Sequence, residues 1–381
     1  MRVRPPSQLL RLKRSVELFT GPDGDLYLLR LGLGDDQVIE GPTPEQRALL
    51  EELARGFTEE RSLLERHGSV ARDSLDQLLE LDLIETRTSP RLISELDAER
   101  YDRQLIYLAD LVAPGTSADV LQRRLADSRV LVVGCGGLGS WTACGLSLSG
   151  VGSLTLVDDD SVELSNLSRQ LLFDPAEIGH AKGNVAAARL RGHNPGLEVD
   201  VVLRRISAAA DLADVVAGGA FDLIVSTGDW PPHDLPRWVN EVAYEHGVPW
   251  IGAGQFPPRL RLGPLVVPGE TSCHACLESW ARAESSLYEQ VASFRGSQSL
   301  PDASTGPVSG AIGSLLANEV VHFLVGAEPA SLGRALMLDL ASFESERQEI
   351  PVDPECAVCG CLEPAALRPS PRPRRPARAR V

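Results

Sequence analysis

The chain has 381 residues, 43% hydrophobic and 24% charged, and a formal net charge of −16. That length fits one large α/β domain with a small one, and the acidity excludes general binding to nucleic acid. The basic start, MRVRPPSQLLRLKRSVELF, lacks the apolar core of about 7–15 residues that a secretory signal needs.

Residues 1–97 read as a small α+β domain. Short strands are predicted at Val16–Phe19, Leu26–Leu29 and Gln37–Ile39, with a Gly-Pro-Asp-Gly turn at 21–24. Thr43-Pro44-Glu45-Gln46 is a capping box with proline at the first helical position, and Leu49, Leu50 and Leu53 continue the helix on one face. A second helix is expected from near Thr58. A third carries Leu75, Leu78, Leu79 and Leu83 and ends in LIET. Strands followed by three helices resemble a winged-helix domain. Its third helix, with Asp76 and Glu80, is acidic where a DNA reader would be basic.

Residues 98–362 form the main domain, entered through Glu99-Arg100-Tyr101-Asp102-Arg103-Gln104. Val130–Val133 is a wholly apolar run suited to a strand buried on both faces. Gly134-Cys135-Gly136-Gly137-Leu138-Gly139 then makes a G-x-G-x-x-G turn into a helix. Glycines there let backbone N–H groups approach a phosphate, and the helix N-terminus favours negative charge. A second apolar strand, Leu154–Val157, ends in Asp158, Asp159 and Asp160, where a carboxylate can accept from ribose hydroxyls. Val130–Val157 is uncharged but broken by seven glycines. It therefore reads as strand–helix–strand and not as a membrane span.

Arg169 and Lys182 follow the acidic strand end. Two cations facing a nucleotide suit a triphosphate undergoing substitution better than a hydride carrier, because Arg grips phosphate bidentately and Lys brings a mobile point charge. Next come a helix at Asn184–Leu190 and strands at Val199–Leu203, Leu223–Ser226, Trp250–Gly254 and Leu262–Val267. The strand ending at Ser226 leads into Thr227-Gly228-Asp229-Trp230. A carboxylate placed there, beside phosphates, suits Mg2+, a hard cation that keeps several waters.

Seven cysteines occur, four of them in two C-x-x-C knuckles. Cys273, Cys276, Cys356 and Cys359 are the pattern of a closed, structural tetrahedral Zn2+ site, and redox dithiols or free thiols fit two matched knuckles poorly. This usage points to a reducing, cytoplasmic setting. His274 lies within a knuckle as a bystander, while Cys361 is an extra thiol able to compete as a ligand. Cys135 and Cys144 read as small buried hydrophobes. Residues 363–381, with six arginines from Pro364 onward, have the composition of a disordered tail. It either touches an acidic partner or has no function.

The string D-x-D-x-V-E-x-S-N-L-x-R-Q from Asp158 to Gln170, followed by G-x-x-K at Gly179–Lys182, resembles the ThiF/MoeB/HesA family. These are bacterial relatives of ubiquitin-activating enzymes that adenylate a carboxylate with ATP. Gly306-Pro307-Val308-Ser309-Gly310, running into the helix Ile312–Leu324, resembles the family's closing segment. The resemblance covers about residues 98–362 and implies a Rossmann-like nucleotide-binding sheet.

It also implies roles. Gly134, Gly136, Gly137 and Gly139 would hold the phosphates, and Asp158 the ribose. Asp160, Asn166 and Gln170 would complete the ATP site, with Arg169, Lys182 and Mg2+-bound Asp229 as catalytic groups. In the family the arginine of Y-x-R-Q reaches the neighbouring subunit's phosphates, so Arg103 implies a homodimer. The family usually has T-D-N at the Mg2+ aspartate; Gly228 and Trp230 depart from it.

Many relatives pass the acyl group to a cysteine in the segment after the first knuckle, but Leu277–Ser304 holds none. With a PqqD-like, peptide-recognising domain at 1–97, the layout resembles the microcin C-type peptide-adenylating enzymes, and the expected partner is a precursor peptide. The alternatives are a MoeB-like activator of a ubiquitin-like sulfur-carrier protein and a non-catalytic peptide-presenting scaffold. Neither nucleic acid nor a membrane is an expected partner.

Overall fold

The computed structural model describes residues 8–30, 34–88, 91–112, 116–297 and 303–360. Two compact units lie within Met1–Arg124 and within Leu125–Ser370. Cys361 and the arginine-rich tail fall outside the described residues.

The first unit holds β1 (Gln8–Leu12), β2 (Val16–Thr20), β3 (Leu26–Arg30), β4 (Gln37–Ile39), α1 (Pro44–Arg55), β5 (Thr58–Glu59), α2 (Glu60–Glu80), β6 (Ile84–Thr88), α3 (Glu95–Arg100) and α4 (Asp102–Ala109). Two antiparallel three-stranded sheets form, ordered β5-β1-β6 and β2-β3-β4. The capping box at Thr43 is formed: its side chain accepts from the Gln46 N–H, and Gln46 reaches back to the Thr43 N–H.

The second and third expected helices are both present within α2, separated by a kink at Gly68, whose φ of 62° leaves the helical region. One feature differs from expectation. Ile84–Thr88, read as the end of a helix, is instead a strand on β1. Asp82 at φ 56° turns the chain there, and the Lys13 N–H donates to the Leu83 carbonyl at 2.9 Å. Leu10, Leu12, Leu26, Leu28, Leu49, Leu53, Leu63, Leu75 and Ile84 close the core between sheets and helices.

The chain passes through α5 (Ala118–Asp127) into the second unit. There follow β7 (Arg129–Val133), α6 (Gly137–Leu148), β8 (Ser153–Val157), α7 (Lys182–His193), β9 (Glu198–Val202), α8 (Ala209–Ala217), β10 (Leu223–Ser226), α9 (Asp234–His246), β11 (Trp250–Phe256), β12 (Arg259–Val266), α10 (His274–Glu284), α11 (Tyr288–Ser297), α12 (Gly306–Val325), β13 (Arg334–Asp339) and β14 (Ser345–Glu349). One eight-stranded sheet results, ordered β14-β13-β12-β11-β10-β7-β8-β9. Strands β11 to β9 in that order are parallel, and β12 to β14 extend the sheet antiparallel. Residues 130–133, 154–157 and 223–225 are all at most 8% exposed. Such continuous burial is what a parallel sheet covered on both faces requires.

By length and composition α12 is apolar enough to cross a membrane, yet over half of it is buried. It lies against α6, where Thr142 donates to the Gly313 carbonyl at 3.1 Å. A Cβ on Gly313 would stand 2.6 Å from that of Trp141, so only glycine allows this approach. Here α12 is a core helix.

Candidate active site

From β7 the chain builds outward through β8 to β9, then returns to place β10 on the other side of β7. Loops leaving β7 and β10 diverge at such a reversal and open a crevice at the carboxyl ends of the strands, where open α/β sheets bind ligands. The motif residues converge on this edge.

Gly134 has a φ of 96° and packs on the β10 exit: a Cβ there would lie 2.7 Å from the Gly228 nitrogen. At Gly139 a Cβ would overlap the Gly134 carbonyl oxygen. These two glycines shape the turn. Gly136 and Gly137 begin α6 and leave its first N–H groups accessible to an anion. Thr227 bridges the two strand ends, donating to the Val133 and Gly134 carbonyls at 3.1 and 2.8 Å.

Asp158 ends β8 and accepts from the backbone N–H of Cys135 at 2.6 Å and of Asp160 at 2.9 Å. Burial nonetheless raises its pKa above the ordinary carboxylate value. Asp160 holds Lys182, the first residue of α7, through an Nζ–Oδ2 ion pair of 2.8 Å. The side chain of Lys182 is only 7% exposed, and a cation at a helix N-terminus is opposed by the macrodipole. Asp160 therefore holds in place a charge that the helix itself would favour replacing with an anion. Arg205 adds a second cation, 3.3 Å from Asp159 and 3.9 Å from Asp160.

Arg169 is partly buried. Its guanidinium donates to the Ser165 carbonyl at 2.9 Å, and among the described residues it pairs with no carboxylate. Its own carbonyl is fixed by the Trp141 indole at 3.1 Å. Its Cδ would lie 3.8 Å from a Cβ on Gly137, beside the turn. Gln170 is buried, with its amide nitrogen 3.8 Å from the Cβ position of Gly136 and its Oε1 enclosed without a donor. Asn166 serves the local turn, its Oδ1 accepting from the Glu163 N–H at 3.0 Å. Ser309 of α12 closes the turn from above: its Oγ lies 3.0 Å from the Cβ position of Gly137 and 2.8 Å from Ser304.

Asp229 is exposed immediately after β10 and has no partner among the described residues. A lone carboxylate open to solvent fits a cation that retains most of its water. Arg103 belongs to the first unit, on α4, with 93% of its side chain exposed. Within that unit α4 is gripped at both ends. Arg14 ion-pairs with Asp102 and donates to its carbonyl at 2.9 Å, while Ser15 and Arg30 donate to Asp110 at 2.8 and 3.2 Å.

The two knuckles meet. Cys273, Cys276, Cys356 and Cys359 place all four sulfurs within 4.8 Å of one another. Three of the separations are 3.9, 3.6 and 3.2 Å. Thiolates about 2.3 Å from a tetrahedral Zn2+ would be roughly 3.8 Å apart, so the four sulfurs fit that ion. The Asp353 N–H also donates to the Cys276 sulfur at 3.4 Å. His274 is turned away, its ring edge-on to Trp250 at 6.0 Å, and burial pushes its pKa down to about 3.

Thr227 and Ser309 lie inside the segments 227–230 and 306–310 that the sequence marks, but the sequence attaches no role to either side chain. Arg205 lies in no motif, and the arginine pair 204–205 following β9 is its one signal.

Residues 101–361 match the ThiF family. The sulfur carrier protein ThiS adenylyltransferase of Escherichia coli is 32% identical over 268 residues, which is 70% of this chain and 97% of that protein. The crystal structure of E. coli MccB with ATP superposes with a TM-score of 0.73 at 25% identity, covering 92% of this chain and all of that one. The microcin C7 biosynthetic enzyme MccB in complex with N-formylated MccA gives a TM-score of 0.72 at 26% identity, with the same coverage.

Proposed function

This chain belongs to the ThiF family, and on that premise we propose that it is an ATP-dependent adenylyltransferase activating the C-terminal carboxylate of a peptide. A carboxylate oxygen bonds to the α-phosphorus of ATP, and the bond from that phosphorus to the bridging oxygen breaks. Pyrophosphate leaves with the electron pair, giving an acyl-adenylate. Charge accumulates around one phosphorus, so the reaction needs positioned cations more than a proton shuttle. The α6 N-terminus receives phosphate oxygens, Asp158 the ribose, and Gln170 Oε1 gains a donor. Lys182 and Arg169 supply the positive charge, and Asp229 would hold Mg2+, which supplies further charge neutralisation. Arg103 would act across a homodimer, which its exposure on α4 allows. The cysteine cluster would take a structural Zn2+. Two C-x-x-C knuckles suited to a metal and not to disulfides favour a cytoplasmic setting.

The observation that carries adenylation is the convergence of the glycine turn, Asp158, Lys182 and Arg169 on the strand-order reversal. Coverage favours a peptide over a carrier protein. The sulfur-carrier enzyme matches 70% of the chain, whereas the MccB structures extend over 92%. We assign residues 1–97 to peptide recognition, through strand addition to a small antiparallel sheet. The sulfur-carrier reading remains the alternative.

The test is carboxylate-dependent exchange of labelled pyrophosphate into ATP. Lys182→Ala and Arg169→Ala should each lower it at least a hundredfold, about 3 kcal/mol of transition-state stabilisation, with unchanged circular dichroism. Wild-type exchange in either variant would remove both from the reaction.

A further inference from the structure

Arg261 stands in β12 among apolar neighbours, with Leu260 and Leu262 buried on either side. It pairs across the sheet with Gly254 of β11. Since Gly254 has no side chain, the guanidinium lies over it, one nitrogen 3.8 Å from where a Cβ would be. The half-exposed Phe256 ring forms the outer wall, its centroid 5.8 Å from the guanidinium carbon. The Nε is shut off from solvent without an acceptor. Neighbouring cations are matched: Arg259 pairs with Asp339, and Arg237 with Glu278 and Asp234. Arg261 has no carboxylate among the described residues, and burial lowers its pKa. His233, on the loop following Asp229, likewise has an enclosed Nε2 without a partner.

A guanidinium whose Nε is enclosed without a partner among the described residues costs stability. Proteins keep such groups where a ligand completes them. Its position says which ligand. Ser226 of β10 is level with Gly252 of β11, so Gly254 is level with Gly228, which packs on the phosphate turn. From β10 to β12 is two strand spacings, about 10 Å along the crevice. An extended chain covers that distance in roughly three residues.

We propose that Arg261 is a specificity site for a side-chain carboxylate, aspartate or glutamate, carried by one of the last residues of the peptide being adenylated. The proposal rests on the adenylation reading. A planar fork meeting a carboxylate in a shielded site makes two charge-assisted hydrogen bonds, and an amide of the same shape cannot replace the lost charge. Phe256 and the exposed Trp230 would flank the entering segment.

Two measurements on the full-length protein test it. The first needs no substrate. Arg261→Met keeps the stem and removes the unpaired charge, so its melting temperature should rise by a few degrees. A fall would mean Arg261 serves the fold, and would overturn the proposal. The second measures adenylate formation with synthetic peptides whose last three residues are varied among Asp or Glu, Asn or Gln, and Lys. Acidic peptides should be preferred at least tenfold in kcat/KM, the preference should vanish in Arg261→Met, and Arg261→Glu should favour lysine peptides. Equal use of amide and acidic peptides by the wild type overturns the proposal. A uniform loss across all peptides in Arg261→Met also overturns it, reassigning the residue to the reacting α-carboxylate. If no peptide is adenylated although ATP binds, the adenylation reading fails, and the melting comparison alone decides whether Arg261 awaits a ligand.

Discussion

On the β7–β9 side of the sheet, the charged groups are tied to neighbouring polar groups, with Gln170 Oε1 the exception. Asp158 holds two backbone N–H groups, Asp160 holds Lys182 and faces Arg205, and Arg169 rests on the Ser165 carbonyl. Across the reversal, on the β10–β12 side, Asp229 is exposed, and Arg261 and His233 have enclosed nitrogens without partners among the described residues. The first side is pre-organised for a ligand of constant shape. The second leaves charge uncompensated until a ligand supplies the counter-charge. A nucleotide site can be satisfied internally because ATP does not vary, whereas selectivity requires groups that only the right substrate satisfies.

The cysteine cluster lies at the end of the less satisfied side. One knuckle follows β12 and the other follows β14, so an ion there would tie the ends of the antiparallel extension. Removing a structural metal belongs among the few changes exceeding about 4 kcal/mol. Cys359→Ser, or stripping the metal with a chelator, should therefore lower the melting temperature by roughly 10 °C or more in a domain this size. Metal analysis should find one zinc per chain in the wild type. An unchanged melting curve in Cys359→Ser would show that the knuckles do not carry this side.

The next effect concerns Arg103, another cation left in solvent. The Arg14–Asp102 pair that grips its helix is itself 33% and 44% exposed, so its stability contribution is at most about 1 kcal/mol. Arg14→Asp should barely move the melting temperature but lower kcat about tenfold by letting α4 shift. Arg14→Asp with Asp102→Arg should restore most of the rate. Loss of kcat without rescue would mean that the pair does not position Arg103. Deleting residues 1–97 would separate these effects poorly, because it removes the partners of both Asp102 and Asp110 along with any peptide site.

The sequence disclosed what local chemistry encodes. The glycine turn, the Asp158–Lys182 string, the Thr43 capping box and the knuckles are each set by residue types at short spacings. What escaped depends on pairing over distance. β1 finds β6 some seventy to eighty residues away, and the segment after α2 is a strand because β1 offers it a ladder. The hold of Arg14 and Arg30 on α4 joins segments about as far apart. Arg261 falls one residue before the expected strand Leu262–Val267 and carries no local signal. Its meaning appears only once Gly254 is known to lie opposite and no carboxylate among the described residues pairs with it.

The smallest effect probes how well the nucleotide side is satisfied. Burial is the main cause of the raised pKa of Asp158, offset in part by the N–H groups of Cys135 and Asp160. For an acid whose folded pKa is raised, the folded state binds more protons between the ordinary value, 3.8, and the raised one. Stability therefore falls as pH rises through that window, and above it the ionised carboxylate is held at a net cost. A ribose hydroxyl donating to that carboxylate offsets the cost, so binding and ionisation are linked. Adenosine, which has no phosphate to titrate, should bind more weakly as pH drops, with a midpoint above 3.8. In Asp158→Asn the affinity at pH 7 should be about tenfold lower, as for a lost charge-assisted hydrogen bond, and nearly flat with pH. Calorimetric titrations from pH 7 to 4 measure both. A midpoint at or below 3.8, or the same pH dependence in Asp158→Asn, would show that the ribose is not read by this carboxylate. The two sides of the sheet would then differ less in their state of satisfaction than the hydrogen bonds imply.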